Sequence, residues 1–154
     1  MLAVWNSPEF LQYVGDRGVR SESQARDALA DGPIAIWQEF GYGPFRVGLK
    51  DGTGIGICGL FKRPELDVPD LGVALLPEYY QQGYGVEAAM ATLDYCRDDL
   101  GKSRIAAIAS ADNEASLAML EHLGFEHHSS IDMNGESVDL LYCDLSPVPT
   151  ADRN

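Results

Sequence analysis

Basic residues are scarce in this sequence: 11 Lys and Arg stand against 24 Asp and Glu over 154 residues, giving a formal net charge of −13. Nucleic acids and anionic membrane surfaces are bound mainly through Lys and Arg contacts to phosphates, so the charge argues against both as partners. The same field favours a cationic partner or substrate. Any phosphate ligand must therefore be held by a local arrangement of donors.

Long apolar runs and paired cysteines are also missing. No apolar run approaches the roughly 20 residues needed to cross a bilayer, and the chain does not open on a basic-then-apolar secretion signal. Cys58, Cys96 and Cys143 are widely separated and form no CxxC pair, which argues against a disulfide framework and a zinc site. We expect a cytoplasmic protein without a metal, whose cysteines are small buried side chains.

The order of periodic segments predicts one α/β domain over residues 1–145, followed by a polar tail, "SPVPTADRN", over 146–154. Ser7 before a proline predicts one N-terminal helix, and Ser21 or Ser23 caps a second, which Gly32 ends. The segment "PIAIWQEFGYG" fits a further short helix or a strand. "FRVGLKDGTGIGICGLF" then predicts a hairpin around its Asp-Gly pair.

After the hairpin, strands and helices alternate. "DLGVALLP" predicts a buried strand closed by Pro77, and a helix follows from about Val86. "SRIAAIAS" is a second strand, and "NEASLAMLEHLGF" is a helix ended by Gly124. A terminal strand pair turns at Asn134 and Gly135.

Two glycines, Gly83 and Gly85, stand before the helix in "YYQQGYGVEAAMATLDYC", where glycine is entropically costly. The start of a helix presents unpaired N–H groups and about half a positive charge, and glycine lets a ligand approach the backbone. A diphosphate suits such a cradle, and a tight loop without a ligand is the alternative. The segment lacks the Gly-Lys-Ser/Thr of a P-loop, and Ala88 replaces the third glycine of a dinucleotide fingerprint.

The segment "DLGVALLPEYYQQGYGVEAAMATLDYCRDDLGKSRIAAIASADNEASLAMLEHLGFE" resembles the GCN5-related N-acetyltransferase (GNAT) family. The similar branch is the ribosomal-protein-alanine N-acetyltransferases, and the resemblance covers about residues 4–145. The stretch 82–86 falls on the family's phosphate-binding turn, and Asn113 and Ser116 fall on the Asn-x-x-Ser pair of this branch. The sequence departs from the motif at Tyr80, where Gln or Arg is usual, and at Gln81, where glycine is frequent.

The resemblance implies a single mixed, mostly antiparallel central sheet with helices on both faces, lacking the family's first strand. It implies acetyl-CoA as cosubstrate, bound where the cofactor strand separates from its neighbour at 104–110. In this role Asn113 would hydrogen-bond the pantetheine amides and Ser116 would protonate the departing sulfur, although both also fit a plain helix cap and first turn. The implied binding residues are Ala74, Leu75, Leu76, Gln81, Gln82, Gly83, Tyr84, Gly85, Val86, Asn113 and Ser116.

The resemblance implies direct, acetyl-CoA-dependent acetylation of a primary amine, which is either a protein N-terminus or a small amine. The negative net charge favours a cationic acceptor. The alternative is a catalytically idle relative that binds CoA or a protein partner. No residue is identified as the general base, because His122, His127 and His128 all fit exposed positions. An aromatic group can form an acceptor wall or simply pack; it comprises Trp37, Phe40, Tyr42 and Phe45.

The start of the chain bears on assembly. A family domain has a strand and most of a helix before the point matched by "MLAVWNSPEF". Without that strand, the sheet keeps an open edge near residues 45–50, and open edges invite pairing with another chain. We expect either a natural product that starts further upstream or a partner over this edge, most simply in a homodimer.

Overall fold

The computed structural model describes residues 1–146, so nearly all of the predicted tail, 147–154, lies outside the described residues. The helices are α1 Leu2–Trp5, α2 Pro8–Tyr13, α3 Glu22–Leu29, α4 Ala35–Phe40, α5 Tyr84–Asp98 and α6 Glu114–His122. The strands are β1 Pro44–Gly48, β2 Gly54–Phe61, β3 Asp70–Leu75, β4 Arg104–Ala109, β5 Glu126–Met133 and β6 Glu136–Asp144.

These strands form one sheet in the order β1-β2-β3-β4-β6-β5. Every neighbouring pair is antiparallel except β3 and β4, which run parallel. The predicted mixed, mostly antiparallel sheet is therefore confirmed, with its hairpins at both ends of the strand order. Within residues 1–146, β1 forms one edge of the sheet and β5 the other.

Local sequence signals explain the N-terminal helices, with one correction. The Ser21 hydroxyl accepts from the backbone N–H of Gln24, whose side chain accepts from the Ser21 N–H, so Ser21 rather than Ser23 caps α3. The prediction that Gly32 ends this helix was wrong. A wider π-helical turn, 30–34, carries the chain past Pro33 into α4, because proline has no N–H to donate in a regular turn. Helix α4 ends instead at Gly41, whose φ of 71° is left-handed.

The parallel pair of strands separates almost at once. Their register contains a single pair, Asp70 with Ala106, and the Ala106 N–H donates to Pro69 O at 2.9 Å. Beyond this point no further residues of β3 and β4 pair within residues 1–146, so a gap opens between the two strands. We call this opening the strand gap.

The register of β2 and β3 determines which backbone groups face the strand gap. The Leu76 N–H donates to Ile55 O at 2.8 Å, and hydrogen bonding alternates along an antiparallel pair. Ala74 therefore also bonds toward β2, whereas the N–H groups of Val73 and Leu75 turn toward β4. Among the implied binding residues 74–76, only Leu75 therefore has a backbone N–H that faces the strand gap, together with Val73, which the sequence analysis did not name.

The two faces of the sheet are covered by different helices. On one face, buried apolar residues of the strands pack against α5 and α6, with Ala89 and Cys96 fully buried. On the other face, Trp5, Phe10 and Val19 pack against the side of β3 that carries Ala74. Helices α1 to α3 therefore cover this second face of the sheet, next to the strand gap. No helix within residues 1–146 is long and apolar enough to span a bilayer.

Candidate active site

A continuous cleft passes through the strand gap and consists of two adjoining cavities of about 700 Å³ and about 500 Å³. The first, the turn cavity, lies between the 81–86 turn and the start of α6. The second, the inner cavity, lies between the loop after α2, the middle of β3 and the β5–β6 hairpin. Residues lining both cavities include Val73, Ala74, Asn113, Ser116 and Met119.

The turn before α5 leaves its backbone open to a ligand. Gly83 is left-handed at φ 84°, and a Cβ built on it would meet no atom of the described residues within 4 Å. Gln81 is also left-handed, at φ 57°, which is uncommon for a residue with a side chain. Closely spaced left-handed residues before a 15-residue helix turn N–H groups toward one point, which favours an anion.

The other predicted glycine plays a smaller part. Helix α5 begins at Tyr84, two residues before the predicted start at Val86, and Gly85 lies in its first turn. A Cβ on Gly85 would touch Met119 Sδ at 3.6 Å, which is an ordinary contact, and its φ is not positive. Only Gly83 is therefore required by its backbone conformation.

Most of the predicted binding residues line the turn cavity, and two do not. Gln82 donates from Nε2 to Glu78 O at 2.9 Å, so its side chain folds back onto the preceding turn. Leu76 packs among the N-terminal helices. The predicted residues found along the cavity are Ala74, Leu75, Gln81, Gly83, Tyr84, Gly85, Val86, Asn113 and Ser116.

Asn113 and Ser116 combine a structural position with a place in the cleft. Asn113 Oδ1 accepts from the Ser116 N–H at 3.2 Å, so the asparagine is the N-cap of α6. Both residues are partly buried and line both cavities, at the place where the cavities meet. The cap explains how the two side chains are positioned, and their roles toward a ligand stay predictions.

Sequence reasoning did not single out Asp70, which is the most unusual polar group of the cleft. This side chain is 1% exposed and lines the inner cavity at the point where β3 and β4 separate. Its Oδ2 lies 2.9 Å from Arg63 Nε, while its Oδ1 is buried and has no hydrogen-bond partner among residues 1–146. Burial raises the pKa of this carboxyl group, and the charge of Arg63 opposes the rise.

Basic side chains also line the inner cavity, and the sequence analysis named none of them. Arg17 lies with its Cζ 5.4 Å from the centre of the Trp5 ring and 5.8 Å from that of Phe10. Burial lowers the pKa of Arg17, and the positive charge of Arg63 adds to the effect. Lys62 donates to Leu66 O at 2.6 Å. The sequence signal for these residues was weak, because single basic residues in loops are common.

The four aromatic residues that could form an acceptor wall or simply pack are found packed together, outside the described cleft. Trp37 of α4 and Phe45 pack edge-on at 5.0 Å, and Phe45 meets Tyr95 at 5.4 Å, so this pair lies on the α5 side of the sheet, away from Trp5 and Phe10. Phe40 stacks with Tyr42, and neither lines the cleft. The aromatic residues that do line the inner cavity are Trp5, Phe10, Tyr13 and Phe61.

Other reactive side chains lie away from the cleft. The three cysteines are buried, as predicted, and burial raises the pKa of the Cys58 thiol to about 11. His122, His127 and His128 are all exposed and line neither cavity. Among residues 1–146, no group of three or more His, Cys, Asp or Glu is arranged to hold a metal ion.

Comparison with known proteins agrees with this geometry. The family model described as "Acetyltransferase (GNAT) domain" matches residues 1–126. The uncharacterised N-acetyltransferase YoaA of Bacillus subtilis (strain 168) is 28% identical over 130 residues, which cover 82% of this chain and 72% of that protein. The ribosomal-protein-alanine branch is not confirmed by these matches and stays a prediction.

Solved structures share the fold at lower identity. An acetyltransferase from Agrobacterium tumefaciens str. C58 superposes with a TM-score of 0.74 at 22% identity, covering 91% of this chain and 82% of that chain. A mutant of the spermidine N-acetyltransferase SpeG from Vibrio cholerae gives 0.67 at 16% identity, covering 82% and 77%. The family model, the relative and the cleft agree: this chain belongs to the GNAT family and is an N-acetyltransferase.

Proposed function

We propose that this protein transfers the acetyl group of acetyl-CoA directly to a primary amine, on a small molecule or a protein N-terminus. The observation that carries the proposal is the continuous cleft through the strand gap. An anion-binding turn lies at one end of the cleft, and a buried carboxylate lies at the other. Such a cleft can hold the two reactants of an acetyl transfer in one line.

The turn cavity fits the diphosphate of acetyl-CoA. The open space beside Gly83 allows close approach, and the start of α5 supplies N–H donors and the positive end of the helix dipole. These contacts act at short range, so they can bind phosphates despite the net charge of −13. The residues proposed to bind are those found along this cavity, without Leu76 and Gln82.

The strand gap fits the pantetheine arm and the acetyl group. The backbone N–H groups of Val73 and Leu75 face the gap and can donate to the carbonyl oxygens of the pantetheine arm and the acetyl group. The ligand would then take the place of a neighbouring strand. Asn113 can donate from its amide nitrogen on the α6 side. Acetyl-CoA supplies an activated thioester, so positioned donors for the carbonyl oxygen account for much of the rate.

We assign proton acceptance to Asp70. The amine must lose a proton to attack, and Asp70 Oδ1 lies in the inner cavity without another hydrogen-bond partner among the described residues. Its raised pKa makes the carboxylate a stronger base than an exposed aspartate, and the ion pair with Arg63 holds its orientation. Ser116, at the junction of the cavities, is placed to donate a proton to the sulfur.

Direct transfer is favoured over a covalent acetyl-enzyme. A covalent route needs an activated nucleophile, which in proteins is a thiolate or a serine beside a base. The cysteines are buried with raised thiol pKa values, and they do not line the described cleft. Neither cavity is lined by a histidine that could activate Ser116.

Two measurements test the proposal together. Acetyl-CoA at about 100 times its Kd should stabilise the protein by about 2.7 kcal/mol, which corresponds to a Tm rise of about 5–10 °C for a chain of this size. Pantetheine, which lacks the diphosphate, is the control and should give a much smaller shift. Thioester consumption with a panel of primary amines then tests transfer. Binding without consumption by any amine would contradict the transferase function, and absence of both would contradict the cleft assignment.

A further inference from the structure

The inner cavity has the opposite charge character from the molecule as a whole. The chain carries 24 acidic and 11 basic residues, yet Arg17, Lys62 and Arg63 line this one cavity with only Asp70 and Glu136 as acids. A random sample of this surface would be mainly acidic. The local reversal of charge therefore describes what the cavity accepts better than the net charge does.

The three cations are not equivalent. Arg63 is paired with Asp70, and Lys62 is held by the backbone carbonyl of Leu66 at 2.6 Å. Arg17 makes no ion pair and donates no hydrogen bond to any residue in the described part of the chain, 1–146. Its guanidinium is instead held over the rings of Trp5 and Phe10, which fix its position and leave its donors available.

A second unmatched group lies in the same cavity. Asp70 Oδ1 is buried, negatively charged when ionised, and without a donor among residues 1–146. Burying a charged oxygen without a donor costs free energy, so the arrangement is stabilised by a ligand that brings one. The inner cavity thus offers Arg17, an exposed cation without an ion pair, and the buried Oδ1 of Asp70, which has no donor among the described residues; its other acid, Glu136, is exposed.

We infer that the acceptor is an amine that also carries a carboxylate, such as a free amino acid, with the carboxylate on Arg17 and the amine directed to Asp70. This inference rests on the proposed function and names its acceptor class. In the reaction the C–S bond of the thioester breaks and a C–N bond forms. The amine proton passes to Asp70, and the released thiolate takes up a proton from Ser116 to give the free thiol; the proton on Asp70 then returns to Ser116 through water.

The inference argues against the cationic acceptor that net charge alone favours. A polyamine in the inner cavity would bring ammonium groups near Arg17 and Arg63, and like charges at short range repel. The likeness to spermidine N-acetyltransferase concerns the fold alone, at 16% identity.

The experiment compares carboxylate and carboxamide acceptors of the same shape. We would measure kcat/KM of the wild-type protein for a panel of L-amino acids, each with its own carboxamide, and for spermidine. The Arg17→Gln variant is measured in parallel. Arg26→Gln is the matched control, because Arg26 lies on α3 with 80% of its side chain exposed and lines neither cavity.

The wild-type protein should prefer the carboxylate, and Arg17→Gln should reduce the carboxylate-to-carboxamide ratio by about 10- to 100-fold, the value of a lost charge-assisted hydrogen bond. Comparing this ratio between proteins cancels the different amine basicities of the two acceptors. Arg26→Gln should leave it unchanged.

Each outcome is decisive. Acetylation with a preference for carboxamides or spermidine overturns the inference while the transferase function stands. A wild-type carboxylate preference that Arg17→Gln leaves intact also overturns the assignment to Arg17. If Arg17→Gln does not fold, the wild-type ratio for each acceptor pair still decides the acceptor class. Failure to consume the thioester with any amine contradicts the proposed function itself.

Discussion

Replacing Asp70 with asparagine separates catalysis from stability at the most buried polar group of the cleft. The Asp70→Asn side chain has the same shape but cannot accept a proton from an amine. General-base catalysis contributes about 10²- to 10⁴-fold, so kcat should fall at least about 100-fold. Binding of acetyl-CoA, which involves the other end of the cleft, should be unchanged.

The effect on stability follows from two opposing contributions. The substitution removes the charge-assisted hydrogen bond to Arg63, worth about 1.5–3 kcal/mol, although Arg63 keeps 35% of its side chain exposed and can be solvated. It also removes the cost of burying an ionised carboxylate, which is several kcal/mol. Because the pKa of Asp70 is raised, desolvation is the larger contribution. We expect the free energy of unfolding at pH 7 to change by no more than about 1 kcal/mol.

The pH dependence provides the sharper test. A carboxyl group with a raised pKa holds its proton more tightly in the folded than in the unfolded protein. Its contribution therefore favours folding at low pH and is lost as pH rises from the ordinary carboxyl range through the raised pKa. The stability of Asp70→Asn relative to wild type should increase over that interval.

Urea unfolding at several pH values and steady-state kinetics at pH 7 measure both effects. Asp144→Asn is a matched control, because Asp144 also pairs with an arginine, Arg104, at 2.6 Å but is exposed and outside the cleft. The pKa of Asp144 is lowered, so its variant should lose relative stability as pH rises through the carboxyl range. Near-normal kcat in Asp70→Asn would refute the base assignment. A relative stability that falls with pH would refute the account of its burial.

Three further predictions concern the turn cavity. Gly83→Val should abolish the thermal shift with acetyl-CoA. The control is Gly101→Val, because Gly101 is also left-handed, at φ 61°, and has open space around it; this variant should lose similar stability but keep the shift. Equal shifts in both variants would contradict the phosphate cradle. Gln81→Gly should relieve the strain at φ 57° and stabilise the protein by about 1 kcal/mol, measured as a Tm rise of about 2–4 °C; a lower Tm would count against it. Asn113→Ala should cost about 1 kcal/mol through the lost cap, while Ser116→Ala should lower kcat with little loss of stability; a Ser116→Ala variant with full activity would exclude it as the proton donor.

The elements were predictable where local chemistry determines them. The Ser-Pro start of α2, the Asn-Gly hairpin turn and Gly124 after α6 specify structure within a few residues, and the structure confirms their positions. Ser7 does not cap α2 with its side chain, because its hydroxyl donates to Val4 O. The predicted helix end at Gly32 was wrong because a glycine fits inside a wider helical turn when the next residue, Pro33, has no N–H to donate. That outcome depends on how the following helix packs, which local sequence does not contain.

The site was only partly predictable, for a similar reason. The turn proposed to bind phosphate is contiguous in sequence, so its residues could be identified together. The inner cavity is assembled from distant segments, with Arg17 from the loop after α2, Asp70 from the start of β3 and Glu136 from the last hairpin. Asp70 reads as an ordinary polar residue at a strand start. Only the separation of β3 from β4 makes it a buried group facing a cleft.

That separation leaves few backbone hydrogen bonds between the two parts of the sheet. With one register pair between β3 and β4, the strands form two three-stranded halves whose backbones meet at Asp70 and Ala106. Packing joins the halves instead, because Leu60 and Leu71 on one side and Ile105 and Leu141 on the other belong to one buried cluster. A ligand that occupies the strand gap would join the halves, so amide exchange at Val73 and Leu75 should slow when acetyl-CoA binds. Faster or unchanged exchange at both residues would contradict the proposal that acetyl-CoA occupies the strand gap.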